Sequence, residues 1–268
     1  MASLALIRAQ VESRLPGALT VYERPSPEVF LTGIAALDRQ IGGVPQGALT
    51  QIHAPQNLSS GKTALLVSLM AQVTRHGQFC ALVDASDCFD PVSAEAAGVN
   101  LARVLWVRCG AKNRFKSLEQ AFKAADIVLQ NGGFALMAVD LGNMEERLVR
   151  KIPLTTWFRF ARVVEKMPAA LVFMMPYPAA QSCAGLTLRL ECAEADWSSA
   201  ETGERKLSHA QFLSQLRCEV EIGRSRLRKP VQSVGRPRFA AIPNWGSVEG
   251  PQPKDHHGGA EARRNIWP

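Results

Sequence analysis

The stretch from Gly42 to Leu69, GGVPQGALTQIHAPQNLSSGKTALLVSL, constrains this chain more than any other. It reads as a β-strand, a loop ending Ser59-Ser60-Gly61-Lys62-Thr63, and a helix carrying Leu65, Leu66 and Leu69. A glycine-lysine-threonine step between a buried strand and a helix is the end of a phosphate-binding loop, whose usual spelling is G-x-x-x-x-G-K-[ST]. The spelling is broken here, because the position of the first glycine holds Gln56. The motif therefore points to a nucleotide-binding architecture whose nucleotide chemistry is in question.

The rest of the chain fits that architecture. Ala48–Ala54, Phe79–Ala85, Val104–Cys109, Phe134–Leu141 and Ala170–Met175 are apolar runs of strand length, the last four reading as buried parallel strands. Lys62–Arg75, Ser117–Gln130 and Pro153–Lys166 carry apolar residues at helical spacing, and Gly132-Gly133 stops the second. Alternating strands and helices predict an α/β fold, a mostly parallel central sheet with helices on both faces. After Pro176 the texture changes. Leu186–Cys192 and Leu216–Ile222 alternate apolar and polar residues and read as antiparallel C-terminal edge strands, with polar Ala193–Ala210 as a mobile loop between them. Residues 1–27 read as an N-terminal helix and linker, 28–244 as the main domain, and 245–268, rich in Pro, Gly and charge, as a disordered tail.

A hydrophobic fraction of 47% over 268 residues supplies a sizeable core. None of the six cysteines lies in a C-x-x-C pair, so neither a zinc site nor a redox motif is signalled, and reduced thiols are expected. No apolar run reaches membrane-spanning length, and the charged N-terminus lacks a signal-peptide pattern, so the expectation is no membrane and a cytoplasmic chain. Leu4, Ile7, Val11 and Leu15 form a stripe that either folds back on the core or docks on another molecule. The net charge of +7 admits an acidic partner or nucleic acid.

The chemistry at the loop follows from residue types. Ser59, Ser60 and Gly61 supply backbone N–H groups to a phosphate cradle at a helix N-terminus. Lys62 reaches the outer phosphates and the Thr63 hydroxyl ligates Mg²⁺, so ATP and Mg²⁺ are the expected cofactors. A strand-end carboxylate should orient that Mg²⁺ and its water. Asp140, ending FALMAVD, is the candidate, with Thr63 the second metal residue; Asp84, ending FCALVD, reads as a cap for the following loop.

These residues carry a family resemblance. FLTGIAALDRQIGGVPQGALTQIHAP, SSGKT, FCALVDASDCFDPVSAEAAGVN, FALMAVD and ALVFMM resemble the RecA recombinase core in order and spacing, from roughly Phe30 to Ile242. EVEIGRSRLRKP is similar to the late RecA strand with basic ATP-cap residues, which places Arg224 and Arg226 near the nucleotide. RVLWVRCGAKNRFKSLEQAFKAA, and the short passage from ALVFMM to GLTLRLE, resemble the ImuA/SulA-like branch of mutasome accessory proteins. That branch implies an ImuB-like or error-prone polymerase partner, single-stranded DNA, RecA-like self-association, and a role in damage-induced mutagenesis and translesion synthesis. The departures bear on activity. Ala54-Pro55-Gln56-Asn57-Leu58 replaces a shorter glycine-led turn, Ser86 stands where RecA has its catalytic glutamate, and Pro176 where RecA has its γ-phosphate-sensing glutamine. The resemblance thus implies an accessory protein with a degenerate ATP site and at most weak DNA-dependent hydrolysis. The alternative is an active DNA-dependent ATPase or recombinase in homologous recombination. Arg217, Arg224, Arg226, Arg228, Lys229, Arg236 and Arg238 crowd the C-terminal segment, either as phosphate contacts or as a solvated strand.

Overall fold

A computed structural model describes residues 3–19, 27–55, 59–110, 113–202, 205–225 and 235–242, with backbone alone at 198–202 and 205–212. Gln56, Arg226, Arg228, Lys229 and the 245–268 tail lie outside the described residues.

The elements in chain order are α1 (Leu4–Arg14), β1 (Val29–Phe30), α2 (Ala35–Ile41), β2 (Val44–Pro45), β3 (Ala48–His53), α3 (Lys62–Arg75), β4 (Cys80–Asp84), α4 (Pro91–Ala96) and β5 (Val104–Arg108). There follow α5 (Arg114–Asn131), β6 (Leu136–Asp140), α6 (Glu146–Val149), α7 (Leu154–Val164), β7 (Ala170–Met175), β8 (Leu186–Thr202), β9 (Arg205–Ser225) and β10 (Arg238–Ala241). Eight strands form one sheet in the order β10-β9-β8-β3-β7-β6-β4-β5. Strands β8, β3, β7, β6, β4 and β5 run parallel, while β9 and β10 are antiparallel additions. The α/β expectation of a mostly parallel sheet with helices on both faces is thereby met.

Alternation along each central strand divides the core into two layers. Val83, Val139, Leu171 and Phe173 face α5 and α7, where Trp157 and Phe160 pack edge-on against Phe173 at ring separations of 5.0 and 5.6 Å. Ile52, Leu82, Ala138 and Val172 face α3, which buries Leu65, Leu66, Leu69, Met70 and Val73. Each such side chain contributes about 1.5–3 kcal/mol, so α3 is anchored along its length. It begins at Gly61 and ends at His76, followed by Gly77 in the left-handed region (φ 79°), the usual stop for a helix.

Several expectations need correction. The predicted loop Ala193–Ala210 is drawn into the long β8–β9 hairpin, apart from residues 203–204, which lie outside the described residues. Strand β8 is interior rather than an edge, because it pairs parallel with β3 through Thr50–Leu186 to His53–Arg189. Strand β5 is itself an edge and only half-buried, with Leu105 exposed. Pro153 caps α7 instead of opening its first turn, since its φ of −61° and ψ of 142° are extended. Helix α1 forms but buries none of its residues, so its apolar stripe does not fold into the core. No disulfide joins any of the six cysteines; Cys80, Cys109, Cys183 and Cys218 are buried and Cys88 and Cys192 exposed. No described helix is long and apolar enough to cross a membrane.

Candidate functional site: a phosphate loop under a β-roof

Ligands of open α/β sheets bind beyond the carboxyl ends of the strands. Here β3 ends at His53 and α3 starts at Lys62, so Ser59–Thr63 lies at that end of the sheet. Gly61 caps α3 in the left-handed region (φ 76°), a conformation glycine adopts without strain. It is also closely covered. A Cβ at Gly61 would strike the Cys218 sulfur and lie 3.0 Å from Phe239 Cζ, so β9 and β10 roof the turn.

The turn opens into a cavity of about 530 Å³. Pro55, Ser59–Ala64, Gly142 and Asn143 form its floor and sides, and Leu213, Leu216, Ala241 and Ile242 form the roof. Through Thr63, Ala64, Ala241 and Ile242 it adjoins a second cavity of about 720 Å³ bounded by α3 and by Cys88, Phe89, Asp90 and Ser93. Ser60 is buried, Lys62 half-buried, and Thr63 exposed toward the opening.

Lys62 and Asp140 converge on Gly142. The point where a Gly142 Cβ would sit is 2.9 Å from Asp140 Oδ1 and 3.5 Å from Lys62 Nζ. Asp140 Oδ1 accepts a 2.7 Å hydrogen bond from the Gly142 N–H and stands behind that residue rather than on the cavity wall. Burial pushes the Asp140 carboxyl upward, the Gly142 N–H pulls it back, and the Asp84 carboxylate pushes it further up. Burial pulls the Lys62 ammonium down, while Asp140 supports its charge. Among the described residues Lys62 has no ion-pair partner within 4.0 Å. A half-buried, unpaired cation at a helix N-terminus is set up for an anion.

Asp84 does something different. It is fully buried, and its two oxygens accept the N–H groups of Ser86 (3.1 Å), Cys88 and Phe89 (both 2.8 Å). This is the capping role expected for it. Ser86, the next residue but one, buries its hydroxyl without a partner. Pro176 is buried directly after β7. Neither lines the 530 Å³ cavity. Arg224 is exposed on β9, opposite Thr187, and is not on the cavity wall either.

The sequence did not reveal three contributors. Gly142 and Asn143 follow β6 without any motif of their own. The roof from β9 and β10 is assembled only by tertiary pairing. His53 ends β3 half-buried between the β7 and β8 ends. Burial first, then the Arg189 and Lys62 charges, lower its imidazole to about 4. Among the described residues no group of three or more His, Cys, Asp or Glu could hold a metal ion. Mg²⁺ in phosphate sites needs fewer protein ligands, one or two carboxylates plus phosphate and water; Thr63 lines the cavity, whereas Asp140 does not.

The RecA N-terminal domain is the family whose model matches this chain, over residues 18–144, just under half of it. Relatives include Protein RecA of Methylococcus capsulatus, 37% identical over 115 residues, or 42% of this chain and 31% of that one. Protein RecA of Borreliella burgdorferi is 33% identical over 145 residues, 52% of this chain and 38% of that one. Protein RecA of Colwellia psychrerythraea is 35% identical over 115 residues. The matched region spans about a third of the length of these curated relatives. The matches support a RecA-like family.

Proposed function

We propose that this chain is a RecA-like accessory protein of DNA repair and damage tolerance, which holds ATP as a conformational ligand and hydrolyses it poorly. The observation that carries this is the division of labour around Gly142. The convergence of Lys62 and Asp140 on Gly142, beside the Ser59–Thr63 turn that lines the cavity, supports a charge-bearing half of a nucleotide site. A weak hydrolytic half is argued from the resemblance, which sets Ser86, with its buried hydroxyl, where RecA has a water-orienting glutamate. Losing a general base costs about 10²–10⁴ in rate.

When bound, Mg²⁺–ATP would supply the polyphosphate charge that Lys62 and the backbone N–H groups of the turn neutralise. Thr63 and Asp140 would hold the metal, Asp140 keeping its orientation through the Gly142 N–H. The adjoining 720 Å³ cavity is large enough for the rest of a nucleotide. Arg224 and Arg226 remain candidates for nucleotide or DNA phosphates. The exposed stripe of α1, with Leu4 71% and Ile7 49% exposed, suits docking on an ImuB-like or error-prone polymerase partner, or on a second copy of the chain. Single-stranded DNA and a cytoplasmic setting complete the reading, and SOS mutagenesis is the context in which such a protein would act.

The test is ATP binding and turnover, with and without single-stranded DNA, in the wild type and in Lys62→Ala. Binding that depends on Lys62, with turnover unstimulated by DNA, supports the accessory reading. DNA-stimulated turnover abolished by the substitution overturns it in favour of an active ATPase.

A further inference from the structure

Cys192 on β8 and Cys218 on β9 are directly opposed in the antiparallel hairpin. Opposed residues project from the same face, with Cα atoms about 4.5 to 5.5 Å apart. A disulfide spans Cα distances of roughly 4.4–6.8 Å. The neighbouring pair on this face, Leu190 and Val220, is buried together in the α3-side layer, which fixes the direction in which both cysteines point.

The two thiols are otherwise unlike. Cys192 is exposed, whereas Cys218 is wholly buried. Burial pushes the Cys218 thiol up to about 11, and the nearby Cys192 sulfur adds to that push. Each sulfur also meets a carbonyl of its own strand, Glu194 O at 3.5 Å and Leu216 O at 3.8 Å. A bulge between Cys192 and Glu194 leaves β8 locally free of strict register. On its other side the Cys218 sulfur rests on Gly61, the hinge of the phosphate loop.

We propose that Cys192 and Cys218 form a reversible dithiol–disulfide pair through which a small disulfide oxidant acts on the phosphate loop. The exposed Cys192 thiolate attacks one sulfur of the oxidant, breaking its S–S bond, forming a mixed disulfide and releasing one small thiol. The Cys218 thiolate then attacks the Cys192 sulfur, closes the protein disulfide and expels the second small thiol. The two protein thiol protons end on the two small thiols, and the protein supplies the two electrons. The low acidity of Cys218 makes this second step slow at neutral pH and faster as pH rises. Bonding to Cys192 commits the Cys218 sulfur to β8 and shifts it on Gly61, so the closely covered turn is repacked. This consequence rests on the phosphate-site reading of Gly61 and Lys62; the disulfide itself does not.

The experiment treats the full chain with oxidised glutathione, blocks residual thiols, and maps linked peptides by mass spectrometry. The expected result is a Cys192–Cys218 linked peptide, reversed by dithiothreitol and absent from Cys192→Ser. A stable glutathione adduct on Cys192 without the linked peptide overturns the pair. Affinity for inorganic triphosphate is then measured in both redox states. The expected change is about fivefold weaker binding, or more, on oxidation, with recovery on reduction. Equal affinities overturn the coupling to the loop. Absence of triphosphate binding in both states sinks the phosphate-site reading and the coupling together, and the linked peptide still decides the pair.

Discussion

The Gly61 Cα and the Cys218 sulfur touch across the seam between α3 and β9, with no room for a Cβ between them. The glycine that a phosphate loop needs for its turn is thus also needed for packing. Gly61→Ala meets both demands at once. Left-handed backbone costs about 1–2 kcal/mol for a residue with a Cβ, and overpacking costs about 1–3 kcal/mol. A stability loss of about 2 kcal/mol or more is expected in chemical denaturation. Adding Cys218→Ala should recover the packing part and leave the backbone part, and a double-mutant cycle showing no coupling would refute the contact.

Asp84 and Asp140 are register partners on β4 and β6, yet they should respond oppositely to substitution. Asp84→Ala strands the N–H groups of Ser86, Cys88 and Phe89, and each lost partner costs about 1–3 kcal/mol. A fall of about 3 kcal/mol or more is expected. Asp140→Asn keeps an acceptor for Gly142 and removes a charge that burial opposes, so stability should stay within about 1 kcal/mol. Its cost should appear as weaker Mg²⁺-dependent ATP binding. Denaturation curves and ATP titrations with and without Mg²⁺ separate the two roles.

Gly142 lies between the Asp140 carboxyl and the Lys62 ammonium. Its backbone accepts a side chain, but a Cβ would press on Asp140 Oδ1 at 2.9 Å and approach Lys62 Nζ at 3.5 Å. Gly142→Ala should therefore cost about 1–3 kcal/mol of stability while weakening ATP binding several-fold. Unchanged affinity in a calorimetric titration would remove Gly142 from the site.

What could be read in the sequence was whatever stays local. The bounds of α3 and β7 followed from Leu65, Leu66, Leu69 and Met70 at helical spacing and from the unbroken ALVFMM run. The outer part of the β8–β9 hairpin was read as a loop because it extends past the sheet, where Trp197, 60% exposed, marks a strand with little core to face. Strand β5 looked buried because apolar composition does not distinguish an edge from a centre. The roof was illegible for a different reason. Bulges in β8 shift the register, and register alone brings Cys218 and Phe239 onto Gly61.

His53 gives the site a signature in pH. Its imidazole is lowered from the ordinary 6.5 to about 4, chiefly by burial. Between those values the unfolded chain binds the proton and the folded chain does not, so this contribution to stability is present above 6.5 and lost as pH falls toward 4. Asp140, raised by burial, works in the opposite sense, its contribution being lost as pH climbs above the usual carboxylate range through the raised value. His53→Gln should flatten the stability profile between pH 4 and 6.5. A variant with the wild-type slope in that window would show that other groups set it.

The most direct measurement is equilibrium ATP binding alongside turnover, with and without single-stranded DNA, for the wild type and Lys62→Ala. Removing a charge-assisted contact of about 1.5–3 kcal/mol should weaken binding roughly tenfold or more. Turnover should stay at a basal level that DNA does not raise, because no carboxylate stands at Ser86. Rapid DNA-stimulated hydrolysis that disappears with Lys62 would contradict the central claim, and an absence of ATP binding in the wild type would contradict it from the other side.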